Sequence, residues 1–314
     1  NVGTASKPAF NLVDRDFGGL SSIPLDLSTN SPQRFLIPAM ADLDGDGSSD
    51  LIIGDDDGRL HYFIDSSAAN ANASFVLQEA AFQEISVFDQ AAPALIDVNQ
   101  DSLIDLVIGN SLGILEYHEN LGSRTTPIFN LEVQSITWQY DSILRYQLRG
   151  NPNLSKFTVG QILDVNNAIN GDNNVLQSVA AVNDAQKYID MVHPFTISSI
   201  DDEVNSTAVI DYSVKNWGEV RLSDYFNGDR NAEPFLYRDN QNELKLIIGS
   251  RNGYIYFFDT LDSNIYNGPF NLFDSTYTGK RYGTSVSPAG TDLNQDGIID
   301  LLIGNEAGGI ELLF

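Results

Sequence analysis

The chain of 314 residues has no cysteine, so no disulfide can cross-link it and no thiol chemistry is open to it. Basic residues are scarce. Seventeen Lys and Arg stand against 43 Asp and Glu, a formal net charge of -26. That balance argues against nucleic-acid partners, whose phosphates demand cations, and against attraction to anionic membranes. No apolar run approaches the length of a membrane-spanning helix, so direct membrane insertion is not expected. The three histidines, His61, His118 and His193, are scattered and read as packing or surface residues. No nucleophile elbow and no phosphate-binding loop occurs. The opening Asn1-Val2-Gly3-Thr4 reads as the middle of a repeat linker, as in a mature or trimmed chain. The 42% hydrophobic and 10% aromatic content is enough core for one large all-β domain or two ordinary ones.

What the chain does have is a repeated acidic loop that runs into an apolar strand. It reads Asp42-Leu-Asp44-Gly-Asp46-Gly-Ser48-Ser-Asp50-Leu-Ile-Ile-Gly54, then Asp97-Val-Asn99-Gln-Asp101-Ser-Leu103-Ile-Asp105-Leu-Val-Ile-Gly109. The third copy is Asp292-Leu-Asn294-Gln-Asp296-Gly-Ile298-Ile-Asp300-Leu-Leu-Ile-Gly304. Oxygen ligands at alternate positions suit a hard cation such as Ca²⁺. The side chains at positions 1, 3, 5 and 9 of each loop would be ligands, joined by the backbone carbonyls of Ser48, Leu103 and Ile298 at position 7. Asp and Asn also favour plain turns, but the like charges of three or four carboxylates within nine residues repel unless a cation neutralises them. About three Ca²⁺ sites are therefore expected. Ser102 stands where the other loops have Gly47 and Gly297, so the second turn is expected to be strained.

Two further markers repeat. A Phe-centred segment recurs at Pro8–Leu12, Ala73–Leu77, Pro127–Leu131, Pro194–Ile197 and Pro269–Leu272, and an aromatic strand follows each Gly, as in Gly58–Phe63 and Gly253–Phe258. Together they give a unit of four short antiparallel strands, which is a propeller blade. Five units are expected, near 1–65, 66–119, 120–192, 193–259 and 260–314, in one domain. The third would be degenerate and carry insertions. A helical insertion is the rival reading there, because Val175, Val179, Val182, Ile189 and Val192 approximate one helical face. In the fourth unit, Tyr237, Asp239, Gln241 and Lys245 take the ligand positions, and the Lys245 ammonium should keep a cation out.

At these loops the chain resembles the FG-GAP, or VCBS-like, repeat family, and its Asn-x-Gly-Thr-x-x-x-Pro-x-Phe linker (Asn1 to Phe10) is similar to those of secreted Bacteroidota repeat proteins. The resemblance implies an integrin-type β-propeller with Ca²⁺ loops, located outside the cell or at the bacterial surface. It covers 1–132 and 220–314. The expected function is that of a binding or adhesion module, or of a subunit in a surface complex, with a protein or glycan as partner. A polysaccharide-active lyase or glycosidase on a propeller scaffold is one alternative, and an architectural spacer in a secretion or transport complex is another. Catalytic acids should be irregularly placed, whereas almost every acid cluster here keeps the repeat register, so no catalytic residue is assigned. The stretch outside the repeat carries both tryptophans, Trp138 and Trp217, which are candidate partner-binding anchors.

Overall fold

The computed structural model describes residues 11, 20, 23, 34–67, 73–169, 171–195, 202–266 and 268–313. The chain divides into two compact units, 1–117 with 214–314, and 118–213. The first is a four-bladed propeller. Its first blade is β1 (Ile37–Ala41), β2 (Asp50–Gly54), β3 (Leu60–Asp65) and β4 (Phe75–Ala80), antiparallel and in chain order. The continuous apolar run of β2 follows from its place inside the sheet, where all five residues are buried. The second blade begins with β5 (Ala92–Ile96), β6 (Asp105–Gly109) and β7 (Leu115–His118).

The second unit interrupts that blade. It contains β8 (Leu131–Tyr140), β9 (Ile143–Leu148), β10 (Ile162–Asn166), β11 (Leu176–Asn183), β12 (Tyr188–Val192), β13 (Glu203–Val204) and β14 (Val209–Asp211). Its pairings run β8–β14–β10–β11–β12–β9 and return to β8, so the sheet closes into a six-stranded antiparallel barrel with β13 along the edge of β8. Closure removes the free edges that an open sheet leaves. The barrel fills itself with Val133, Ile136, Leu144, Tyr146, Leu163, Val179, Ile189, Met191 and Ile210. After it, β15 (Val214–Lys215) pairs with β7, Val214 opposite Tyr117, and completes the second blade.

The third blade is β16 (Glu233–Arg238), β17 (Leu244–Gly249), β18 (Ile255–Asp259) and β19 (Asn271–Asp274). The fourth has β20 (Ser287–Thr291), β21 (Asp300–Gly304) and β22 (Ile310–Leu313) among the described residues. The edge strands β1, β5, β16 and β20 line one axial cavity.

Three expectations are corrected. Among the described residues there are four blades, not five, and residues 131–211 form neither a degenerate blade nor a helix. Their apolar positions follow period two, as in the alternately buried β9 and the first half of β11, and the valines that suggested a helical face fall on strands or beside them. The blade phasing also shifts. In the propeller the Phe marker does not open a unit but leads into the outermost strand of the blade before it, Phe75 at the start of β4 and Phe270 just before β19, whereas the copy at 127–131 runs into β8 of the barrel. Residues 8–10 and 12 of the first marker and 196–197 of the fourth lie outside the described residues, and Phe195 of the fourth is exposed past the end of β12.

The Gly that ends the second strand of each blade has a packing role. A Cβ at Gly54 would lie 2.0 Å from the Ala91 carbonyl oxygen, at Gly109 2.0 Å from that of Ala232, and at Gly249 1.9 Å from that of Val286. The next blade's backbone therefore rests on the glycine. Beside each contact a backbone bond crosses the junction: Ala91 N–H to Asp55 O, Ala232 N–H to Asn110 O, and Val286 N–H to Ser250 O, at 2.9, 3.0 and 3.0 Å. The fourth glycine, Gly304, meets nothing closer than Ser287 O at 3.8 Å. Leu36, which holds the position of Ala91 in the first blade, is 42% exposed. Among the described residues, the junction from blade four to blade one lacks the lock that fastens the other three.

Candidate metal loops and the lysine-filled fourth loop

Each acidic loop joins the innermost strand of its blade to the second strand. The last acid of the loop is the first residue of that second strand, and it is buried: Asp50, Asp105 and Asp300. In the first loop, the oxygens of Asp42, Asp44 and Asp50 lie within 4.8 Å of one another. Asp50 Oδ2 accepts the backbone N–H of Leu43 and Asp44 at 3.0 and 3.2 Å. Asp42 accepts from Gly45 and Gly47, Asp44 from Asp46, and Asp46 from Ser48.

The other two loops repeat this wrapping. In the second, Asp97 accepts from Asp101 and Ser102, Asn99 from Asp101, Asp101 from Leu103, and Asp105 from Val98. In the third, Asp292 accepts from Asp296 and Gly297, Asn294 from Asp296, Asp296 from Ile298, and Asp300 from Leu293. The twelve side chains expected as ligands lie on loops wrapped by the same kind of hydrogen bonds, and among the described residues the first loop alone brings three carboxylates together. The donor set is all oxygen, on a loop that holds its acids by turn hydrogen bonds, and this fits a hard cation of high coordination number. Burial pushes the Asp50 carboxyl above the ordinary range. The N–H groups of Asp65 and Leu43 pull it back, and the charge of Asp44 raises it further. A cation in the loop would relieve that tension.

The backbone bend at the sixth loop position is left-handed in every copy: Gly47 at φ 92°, Ser102 at φ 71° and Gly297 at φ 87°. Ser102 carries the strain that its sequence position implies. The second loop is also fastened from the next blade, where Arg238 donates to Val98 O at 2.7 Å and Asn242 to Gln100 at 3.0 Å.

The fourth loop departs as its sequence implies. Lys245 pairs opposite Tyr237 in the register that puts Asp50 opposite Ala41. Its nearly buried ammonium meets Glu243 at 2.7 Å, Asp239 at 3.4 Å and also Asp259. An ammonium therefore sits where the other blades have their last carboxylate, ringed by three acids. Burial works to raise the Asp239 carboxyl, but N–H bonds from Glu243 and Gln241 and the Lys245 ammonium outweigh it, leaving its pKa below the ordinary value.

Two participants went unrecognised in the sequence. Tyr62 and Tyr117 donate their hydroxyls to Asp50 and Asp105 at 3.2 and 3.1 Å. Each lies twelve residues past its acid; the same offset leads to Phe257 from Lys245 and to Leu312 from Asp300. A tyrosine at that fixed offset only after acids was the available signal. Burial raises both tyrosine pKa values, and the neighbouring carboxylates add to the rise. The blade aromatics are otherwise packing residues: Phe63, Tyr256 and Phe258 are buried.

The two tryptophans differ. Trp217 is 1% exposed, stacked on Tyr117 with ring centroids 5.3 Å apart, crossed by Phe270, and bonded through Nε1 to Ile265 O. It is a core residue of the propeller, so its expected role as a partner-binding anchor is corrected. Trp138 is partly buried against the barrel core, and its Nε1 donates to Asp141 O. The three histidines are all buried. His61 pairs with Asp55 at 2.8 Å. Among the acids outside the repeat register, Glu116 pairs with Lys215, and Glu203 holds Asn173 and Ser206. No protein-family model matches the chain, and no curated protein matches it.

Proposed function

We propose that the protein is an extracellular, Ca²⁺-stabilised propeller that acts as a binding or adhesion module, or as a subunit of a surface complex, and takes a protein or glycan at the cell surface as its partner. The observation that carries this reading is the contrast among the four loops. Three acidic loops share one pattern of hydrogen bonds, the first brings Asp42, Asp44 and Asp50 together, and the fourth fills the position of the last acid with the Lys245 ammonium. Loops of this kind use Ca²⁺ as the cross-link that a chain without cysteine lacks, and millimolar Ca²⁺ is an extracellular condition. The barrel is the favoured partner surface. It departs from the repeat, has its own core, and turns Tyr140, Ile162 and Leu176 outward. Partly exposed Trp138 belongs to the same unit.

Calorimetric titration of Ca²⁺ into chelator-stripped protein tests the metal part. Three sites are expected, with one lost in each of Asp50→Asn, Asp105→Asn and Asp300→Asn. At about 100 times its dissociation constant, Ca²⁺ should add about 2.7 kcal/mol per independent site. An unchanged melt in EDTA, with metal absent by elemental analysis, would remove the basis of the proposal.

A further inference from the structure

The axial cavity is a second place where chemistry collects. It has a volume of about 290 Å³ and is lined by Ile37–Met40, Ala92–Leu95, Glu233–Leu236 and Ser287–Ala289. Among the described residues, Glu233 is its sole ionisable lining residue. It lies at the first position of its strand, level with Ile37, Ala92 and Ser287 of the other three, and Ser287 shares the cavity lining with it. The rest of the lining is aliphatic or aromatic, apart from backbone. A mostly apolar cavity with one or two fixed polar groups is the usual form of a small-ligand site.

The Glu233 carboxyl sets the sign of the charge the cavity would accept. Each lining strand is an edge strand and carries proline at its second position: Pro38, Pro93, Pro234 and Pro288. The Cδ atoms of Pro93, Pro234 and Pro288, which stand in place of an N–H, pack against the preceding blade, 2.9, 2.9 and 2.7 Å from where a Cβ would lie at Gly54, Gly109 and Gly249. A mostly apolar wall that carries one carboxyl group favours a cation with an apolar body. A metal ion is a poor fit, because Ca²⁺ requires six to eight oxygens and this lining supplies one carboxylate and one hydroxyl among apolar side chains. The cavity also reaches solvent. Pro38, Met40 and Ala289 are exposed, whereas Pro93, Pro234 and Pro288 are buried, so it opens on the side of β1 and β20.

We propose that the axial cavity binds a small primary alkylammonium ion, its charged end on Glu233 and Ser287 and its alkyl part against the aliphatic lining. Burial holds the Glu233 carboxyl up at about 7, with the Ser287 hydroxyl pulling it partly back. The other three strands contribute no ionisable side chain to the lining, so the Glu233 charge governs the pH response. The site is independent of the metal loops, and its success or failure leaves the Ca²⁺ reading untouched.

The test is calorimetric titration of n-butylammonium chloride into Ca²⁺-loaded protein at pH 6 and pH 8, with n-butanol as the neutral control. One saturable site is expected, about tenfold tighter at pH 8 than at pH 6 for a carboxyl with a pKa of about 7. The butanol control should show no saturable binding. Glu233→Gln should weaken the ammonium by at least about tenfold without shifting the melt. Ala94→Leu fills the cavity from a different strand and should abolish binding with Glu233 intact. Absence of saturable binding at pH 8 would overturn the proposal. So would equal binding of butanol, or unchanged affinity in both folded variants.

Discussion

At the residue scale, the four loops form an internal experiment on charge. Lys245 sits among Asp239, Glu243 and Asp259, all partly exposed, so its ion pairs are screened rather than fully buried. Lys245→Met would leave three acids facing one another at near-constant volume. The expected cost at neutral pH is about 2 kcal/mol, between the values for surface and buried pairs. The pH dependence follows from the sign of the Asp239 shift. Its folded pKa is depressed, so its contribution is present above the unfolded value and is lost as pH falls through the folded one. Urea unfolding of both proteins should show a gap that is flat between pH 6 and 8 and closes below about pH 4. Ser102 offers the opposite change. Its φ of 71° costs a non-glycine residue about 1 kcal/mol, so Ser102→Gly should raise stability by about that amount in Ca²⁺-loaded protein. A lower melting temperature for this variant would show that the serine side chain, and not the backbone, dominates there.

At the element scale, the blade junctions explain the glycine that closes each Leu-x-Ile-Gly strand. Gly54, Gly109 and Gly249 each lie under a backbone carbonyl of the next blade, and a carbonyl cannot step aside as a flexible side chain does. Substituting alanine at any of the three should cost about 3 kcal/mol, at the upper end of overpacking effects. Gly304→Ala should cost about 1 kcal/mol or less, because its Cβ would meet no atom within 3.4 Å. Thermal melts of the four variants check the contrast. Four equal losses would mean that the glycine serves its own strand instead of the junction. The repeat made this glycine visible in the sequence, but its reason was not legible there. The carbonyl it touches belongs to residues 37 positions further on in two junctions and 123 in the other.

For the whole molecule, the decisive feature is where the barrel enters the chain. It leaves after β7 and returns at β15, whose Val214 is the direct cross-strand partner of Tyr117. The two ends of the insertion are therefore one strand spacing apart. Replacing 118–213 with a two-residue Asn-Gly turn should leave a propeller that melts cooperatively and responds to Ca²⁺. Residues 118–213 expressed alone should fold around the barrel core, which draws only on residues 121–212. Circular dichroism and hydrogen exchange on the two pieces decide the matter. A barrel piece without protected amides would show that its core is insufficient by itself. If the barrel carries the partner surface, the shortened propeller should also lose attachment to the native cell surface while keeping its Ca²⁺ response.

The sequence by itself determined the blade strands and the acidic loops. Both are set by contacts within a dozen residues: the carboxylates of 42, 44 and 46 bond to backbone two to five positions on, and the burial of Leu51–Gly54 shows as an apolar run. It also announced Lys245 as the exception, because a charge reversal in register needs no fold to be read. Only tertiary structure decided the number of blades, the barrel and the role of Trp217. Val214 completes a sheet begun before residue 118, and pairing across such a separation leaves no local trace. Trp217 lies in an irregular stretch, and what buries it are Tyr117 and Phe270, distant in the chain and adjacent only once the blades have packed.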